Sequence, residues 1–272
     1  MCNTDAPLAQ SPQRWQKFYG DTLQILIRYM DLYIEKLVRG EFSNISFYTG
    51  LEAFYNMGFQ INEVSSFASL QVKEDHVFLG SIQFVHNALR LLQHQIPEPF
   101  DYPASLSEFF GRKIYTSSIS QISNNADRWN VFIKPKGFLK HFTGRVVRGT
   151  SDLIGTSNVE FDTPIWVSEQ VSFVAEWRAF VRYNEILGVR QYKGDWKCSY
   201  DYKIIESAVK AFSDAPNAYA LDFGLTKDGR LLVVEANEGY SIGSYGLFYV
   251  DYAKVIATRW CQLTGQRDLC NF

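Results

Sequence analysis

Asp222, Glu235 and Asn237 are the residues whose types and spacing point most directly to chemistry. They lie in AYALDFGLTKDGRLLVVEANEG, residues 218–239, where two runs of apolar, strand-favouring residues flank Asp228-Gly229, a strong two-residue turn signal. With Asp228 and Gly229 as the loop, Asp222 sits directly opposite Glu235. Asn237, two residues on, projects from the same face as Glu235. Carboxylates facing each other on adjacent strands repel, so something positive must compensate. Two carboxylates and a neutral amide oxygen make the hard, all-oxygen set that Mg²⁺ takes, particularly where phosphates complete its shell. A solvated polar face or a Lys/Arg counter-ion would satisfy the same pattern. A longer loop or a bulge would break the pairing. Asp222 and Glu235 taken alone could be a glycosidase pair, but Asn237 and the basic strands upstream fit that poorly.

Two basic clusters precede the hairpin. Lys134 emerges on a strand in WNVFIKPKG (129–137), on the face opposite Ile133 and just before Pro135. A lysine so placed is a candidate phosphate ligand; a solvent-facing lysine is the plain alternative. Lys136, Lys140 and Arg145 follow in a glycine-containing segment that could fold over an anion. The second cluster is Arg178, Arg182, Arg190 and Lys193, in EWRAFVRYNEILGVRQYKG (176–194). Cations gathered on one two-stranded ribbon need anions. Phosphates or a substrate carboxylate would supply them, and so would Glu176, Glu185 and Asp195. Neither GxxxxGK[ST] nor GxGxxG after a strand is present, so P-loop and Rossmann readings have no support. GxSxG and any convincing Cys/His arrangement are also missing.

The elements that must position these groups can be read along the chain. Residues 1–12 are polar, and 14–38 carry apolar positions at helical spacing, which predicts a helix ended by Gly40. A helix over 50–58, strands within 59–67 and 72–81, and a helix over 81–95 capped by Ser81 give a small α/β unit. Three prolines in IPEPFDYP (96–103) mark a boundary. Beyond it come a helix over 105–113, a strand at 129–137, glycine-rich strands and a loop over 138–165, and a strand with connector at 164–173. Two strands turning at Tyr183-Asn184-Glu185, a helix at 202–215, the hairpin, and a closing helix at 246–265 complete the chain. The division expected is 1–40 as tail and helix, 41–103 as a small α/β domain, and 104–272 as the main domain, with subdomains 104–170 and 171–272.

Composition bounds the function classes. The 272 residues are 46% hydrophobic and 21% charged, as in ordinary globular chains, and 16% aromatic, which suggests large packed surfaces or a stacking pocket. A net charge of −2 gives no global field for nucleic acid. The four cysteines are scattered, which is economical for reduced thiols in a cytoplasmic protein. The start has no apolar core of a secretory signal, no apolar run reaches about 18 residues for a membrane span, and the four histidines lack zinc spacing.

The order of the parts then matters more than any single motif. A strand lysine in VFIKPKG is followed by the connector WVSEQVSF, the Arg-rich strand pair, and a hairpin with Asp and ExN. This resembles the ATP-grasp superfamily, and more narrowly the clade named for two arginines and a lysine, found in peptide-ligase-like enzymes. The resemblance implies an α+β fold in which two α/β subdomains clasp ATP after a small pre-ATP-grasp domain. It implies ATP and Mg²⁺ as cofactors. Lys134 would contact the α/β-phosphates, with Lys136, Lys140 or Lys193 as a second phosphate contact. Glu169, Gln170 and Val171 would be the hinge that holds adenine, chiefly through backbone groups, and Glu176 would lie near the ribose or elsewhere on the nucleotide. Arg178, Arg190 and Lys193 would be the signature cations at the γ-phosphate, acyl-phosphate or substrate. Asp222, Glu235 and Asn237 would hold Mg²⁺. A flap would come from 137–155, whose glycines (Gly137, Gly144, Gly149, Gly155) are spread out.

The activity implied is an ADP-forming carboxylate–amine (or –thiol) ligase passing through an acyl-phosphate. A phosphotransferase of the same fold and a nucleotide-binding module without turnover are the competitors. The partners expected are ATP and small-molecule or peptide substrates. Glu235→Ala and Arg178→Ala are each expected to cost activity while leaving the fold intact. Tyr240, Ser241, Ser244 and Tyr245 follow the hairpin in EGYSIGSYG and are candidate substrate or phosphate contacts.

Overall fold

The computed structural model describes residues 30–36, 45–137, 142–156, 161–268 and 270–272. The chain divides into two compact units, the first of residues 1–96 with 239–272 and the second of residues 97–238. The cut between 96 and 97 falls in the proline-rich stretch 96–103, and 239–272 clusters with the N-terminal residues, not with 97–238.

The first unit holds a three-stranded parallel sheet in the order β2-β1-β3, with β1 at Asp31–Glu35, β2 at Gln60–Val64 and β3 at His76–Leu79. Helix α1 (Ile45–Met57) ends at Gly58, whose φ of 96° needs a residue without Cβ. Helix α2 (Ile82–Leu91) is capped by Ser81, whose hydroxyl accepts the Phe84 N–H. The closing helix, Tyr249–Thr264, contributes Tyr252 and Trp260 to a core with Phe54 and Phe78, all four fully buried. The two phenylalanines each stabilise the unit by about 1.5–3 kcal/mol relative to exposure.

Strand β1 corrects the helix expected over 14–38. Met30, Leu32, Tyr33 and Ile34 are buried because a central parallel strand is covered on both faces. Its apolar residues therefore run together, and over so few positions such a run imitates helical spacing. The rest of the expected helix lies outside the described residues.

The second unit is built on two four-stranded antiparallel sheets. One has the order β4-β7-β5-β6, with β4 Ile114–Ser118, β5 Val131–Pro135, β6 Arg145–Val147 and β7 Pro164–Glu169. The other has the order β11-β10-β8-β9, with β8 Phe173–Arg182, β9 Glu185–Gly194, β10 Ala218–Thr226 and β11 Leu231–Glu238. A helix at Tyr202–Ala211 packs Ile205, Ala208 and Val209 into one core with Trp177, Ala179, Tyr219, Leu221 and Phe223. Period-two alternation then fixes the opposite face of β8 and β10, which carries Glu176, Arg178, Arg182 and Asp222. Tyr183 and Asn184 join β8 to β9 with positive φ at both positions, 49° and 63°, as a type I′ turn requires.

Asp222 pairs with Glu235, as the hairpin reading required. The route to that pairing differs from the expected one. Leu225 pairs with Leu231, so the loop is longer than Asp228-Gly229 by one register step, and Thr226 and Arg230 close it with a 2.9 Å backbone bond. Val233 pairs with Phe223 and Glu235 with Asp222, which leaves Val234 as the extra residue of a β-bulge. Loop and bulge cancel, and Glu235 and Asn237 keep their face.

Candidate active site

Arg178 stands directly across from Asp222 on the other side of β10. Its Nε donates to Oδ1 and one terminal nitrogen to Oδ2, each at 2.7 Å, while side-chain exposure is only 8% and 4%. The positive group demanded by two facing carboxylates is therefore an arginine in bidentate contact. Burial holds the Asp222 carboxyl above its ordinary value, against the pull of the Arg178 guanidinium. Asn237 donates its amide N–H to Asp222 Oδ2 at 3.2 Å. Arg190 pairs with Arg178 across β8 and β9 and donates to its own neighbour's carbonyl, Val189 O, at 3.0 Å.

A second bulge serves the next pair. Glu176 pairs with Lys193 and Trp177 with Gln191, so Tyr192 is the extra residue of β9. The side chains of both Tyr192 and Lys193 consequently reach buried Glu176: the Tyr192 hydroxyl donates at 2.8 Å, and Lys193 forms an ion pair with the other carboxylate oxygen. Burial and the nearby Asp222 and Glu176 charges push the Tyr192 phenol far above its ordinary value, so it stays a donor.

Lys134 reaches from the other sheet. It leaves β5 on the face opposite Ile133, which is fully buried with Val147, Ile165 and Val167. Its ammonium donates to Asp101 Oδ1 and Glu235 Oε2, both at 2.6 Å, and lies 4.8 Å from the centre of the Tyr102 ring. Burial would lower the Lys134 pKa, but Glu235, Tyr102 and Asp101 more than reverse this and hold it above the usual lysine value. Lys136 is exposed and lies over the Trp166 ring at 5.1 Å.

Between the two sheets lies a pocket of about 320 Å³. Phe132 and Val146 of the first sheet, Phe173 and Val234 of the second, and Tyr102 and Val171 line it. The connector Glu169-Gln170-Val171 runs along it, with Glu176, Lys193 and Glu235 at the polar margin. Glu169 is tied to the edge of β4: its N–H donates to Lys113 O at 3.1 Å and its carboxylate accepts the Lys113 N–H at 2.8 Å. Arg112 anchors the wall, donating to Ser168 Oγ at 3.1 Å and to the Val233 and Val234 carbonyls at 2.8 Å each. The bulge at Val234 turns two successive carbonyls to one guanidinium. Arg148 approaches Gln170 Oε1 at 3.4 Å.

Residues 109–255, more than half of the chain, match the model of an ATP-grasp domain, the second family of the clade named for two arginines and a lysine. The chain belongs to that family. The ATP-grasp fold also appears among solved structures similar to it. A RimK domain ATP-grasp protein from Sphaerobacter thermophilus superposes with a TM-score of 0.54 at 15% identity, covering 83% of this chain and 99% of its own. The N5-carboxyaminoimidazole synthetase of Staphylococcus aureus gives 0.54 at 12% identity, over 87% of this chain and 77% of its own. The D-alanine–D-alanine ligase of Bacillus anthracis gives 0.50 at 14% identity, over 87% and 98%. Identities this low establish the shared fold alone. No curated protein matches the sequence.

Of the residues expected from the sequence, Glu169, Gln170, Val171, Glu176, Lys193 and Glu235 line one cleft; Lys134 joins it through Glu235, and Arg178, Asp222 and Asn237 form a hydrogen-bonded group next to Glu235. Lys136 is not brought in. Lys140 and residues 138–141 of the expected flap lie outside the described residues; Gly144, Gly149 and Gly155 lie within them. Tyr240 and Ser241 bind within the first unit, to His86 Nε2 at 3.0 Å and Gly80 O at 2.7 Å. Sequence reasoning missed Asp101, Tyr102, Arg112, Arg148 and Tyr192. Asp101 and Tyr102 sit in the proline-rich stretch read as a boundary, and only long-range folding joins them to Lys134. Tyr192 was hidden by the bulge, which no turn residue announces.

Proposed function

We propose that this ATP-grasp chain is an ADP-forming carboxylate–amine (or –thiol) ligase working through an acyl-phosphate. The observation that carries the reading is a cleft lined by Glu169, Gln170, Val171, Glu176, Lys193 and Glu235, with Lys134 bonded to Glu235 and the hydrogen-bonded group Arg178–Asp222–Asn237 on the strands beside it. ATP would supply the phosphoryl group that converts a substrate carboxylate into a mixed anhydride, which the amine opens with release of phosphate. The apolar walls and the connector 169–171 would hold the adenine, and Glu176 the ribose. Lys134 would meet the phosphates. Lys193 and Arg190 would offset charge on the transferring group and the substrate.

The donor set fits a hard cation: Glu235, with 29% of its side chain exposed, and the Asn237 amide oxygen, on one face with Asp222. They would hold Mg²⁺ with phosphate oxygens, while Asp222, clamped by Arg178, adds charge and orients Asn237. Among the described residues no helix is long and apolar enough to cross a membrane; we place the reaction in the cytoplasm, where ATP is available.

Thermal-shift titration tests the reading. Mg²⁺ with a non-hydrolysable ATP analogue near 100 times its Kd stabilises by about 2.7 kcal/mol, or roughly 5–10 °C for a chain of this size. The shift is expected to be adenine-selective, Mg²⁺-dependent and lost in Glu235→Ala. No shift with any nucleotide would sink the proposal. Free phosphate released with a joined product marks a ligase, a stable phosphorylated product marks a phosphotransferase, and binding without turnover marks a module.

A further inference from the structure

We propose that Asp101 is a positioning residue that shares Lys134 with Glu235, leaving Glu235 available to a divalent cation while Lys134 keeps its place in the cleft. The proposal rests on the reading of Glu235 as a cation ligand.

Asp101 is fixed at three points. Its carbonyl accepts the Ala236 N–H at 2.9 Å, which ties it to the edge of β11 beside Glu235. Its Oδ2 accepts the Trp166 indole N–H at 3.1 Å, and its Oδ1 accepts Lys134 at 2.6 Å. With both carboxylate oxygens held from two strands of the other sheet, the side chain has little freedom to turn away. Lys134 thus has one positive charge between two carboxylates, Asp101 and Glu235. The trio carries a net negative charge. Asp101 repels Glu235 and so weakens the hold of Lys134 on it, and the surplus charge favours a cation at Glu235. When Glu235 turns to that cation, Asp101 retains the ammonium. With the charge of Asp101 removed, Lys134 and Glu235 would form a closed pair, and the cation would have to break it.

Asp101→Asn removes the charge and keeps the shape and an acceptor for Trp166. Binding of the ATP analogue is followed against Mg²⁺ concentration by calorimetry. The half-saturating Mg²⁺ is expected to rise about tenfold in Asp101→Asn and to return toward wild type in Asp101→Glu. An unchanged Mg²⁺ requirement overturns the proposal, whatever happens to melting temperature. A second measurement needs no nucleotide: a double-mutant cycle of Lys134→Met and Glu235→Gln on unfolding free energy, run in the wild-type and Asp101→Asn backgrounds. The Lys134–Glu235 coupling is expected to grow when the Asp101 charge is absent, and equal coupling in both backgrounds overturns the sharing. If the wild type binds no nucleotide, the ligase reading falls, and the cycle still decides whether Asp101 shares Lys134.

Discussion

Arg178 and Asp222 are paired where water hardly reaches, and that changes what a substitution there would do. A buried carboxylate stripped of its guanidinium costs about 3–5 kcal/mol, whereas replacing both members by packed apolar groups is often close to neutral. Arg178→Met is therefore expected to lower unfolding free energy by about that amount, and Arg178→Met with Asp222→Leu to recover most of it. Urea denaturation of the two variants decides this, and a single variant as stable as wild type would show that the pair is not a structural support. The expectation that Arg178→Ala spares the fold is replaced by this one. At this scale the sequence made the need legible: two facing carboxylates required a cation. It did not identify the cation, because the contact depends on β8 lying beside β10 with Arg178 level with Asp222, a register set by packing between distant segments.

Strand β9 shows what an element adds. Gly194 follows Lys193 with φ of 90°, and a Cβ there would stand 2.1 Å from the Val174 carbonyl oxygen and 2.5 Å from the Ala175 Cα. Those are backbone atoms and cannot swing aside. Gly229 has nearly the same φ, 85°, with nothing within 4 Å. Gly229→Ala is expected to cost about 1 kcal/mol of backbone strain. Gly194→Ala should cost more than about 2 kcal/mol and loosen the Lys193–Glu176 pair as well. Melting temperatures of the two variants give the order, and equal losses would mean that β9 shifts to make room. Elements whose two faces differ were legible, as in EWRAFVR, where charged and apolar residues alternate. The bulges at Tyr192 and Val234 were not, since an extra residue leaves no mark in the pattern. The hairpin register came out right because its longer loop and its bulge offset each other. Strand β1 failed the opposite way: burial on both faces erased the alternation that would have identified it.

At the scale of the molecule, chain order showed the ATP-grasp succession of lysine strand, connector, basic ribbon and ExN hairpin, and the family match confirms the family and the fold. It could not show that 239–272 is compact with the N-terminal residues, which only three-dimensional packing decides. The cleft also has an electrical consequence. Three cations, Arg112, Arg148 and Lys193, and three carboxylates, Glu169, Glu176 and Glu235, line the pocket, in a chain of net charge −2. A nucleotide approaching through solvent meets almost no long-range pull. Its association rate should change less than about threefold between roughly 0.05 and 0.3 M salt, read by stopped-flow with a fluorescent ATP analogue. A steep fall with salt would reveal a positive field. Discrimination among nucleotides would then reside in how long each stays once the internal ion pairs have opened, and hardly at all in how often it arrives.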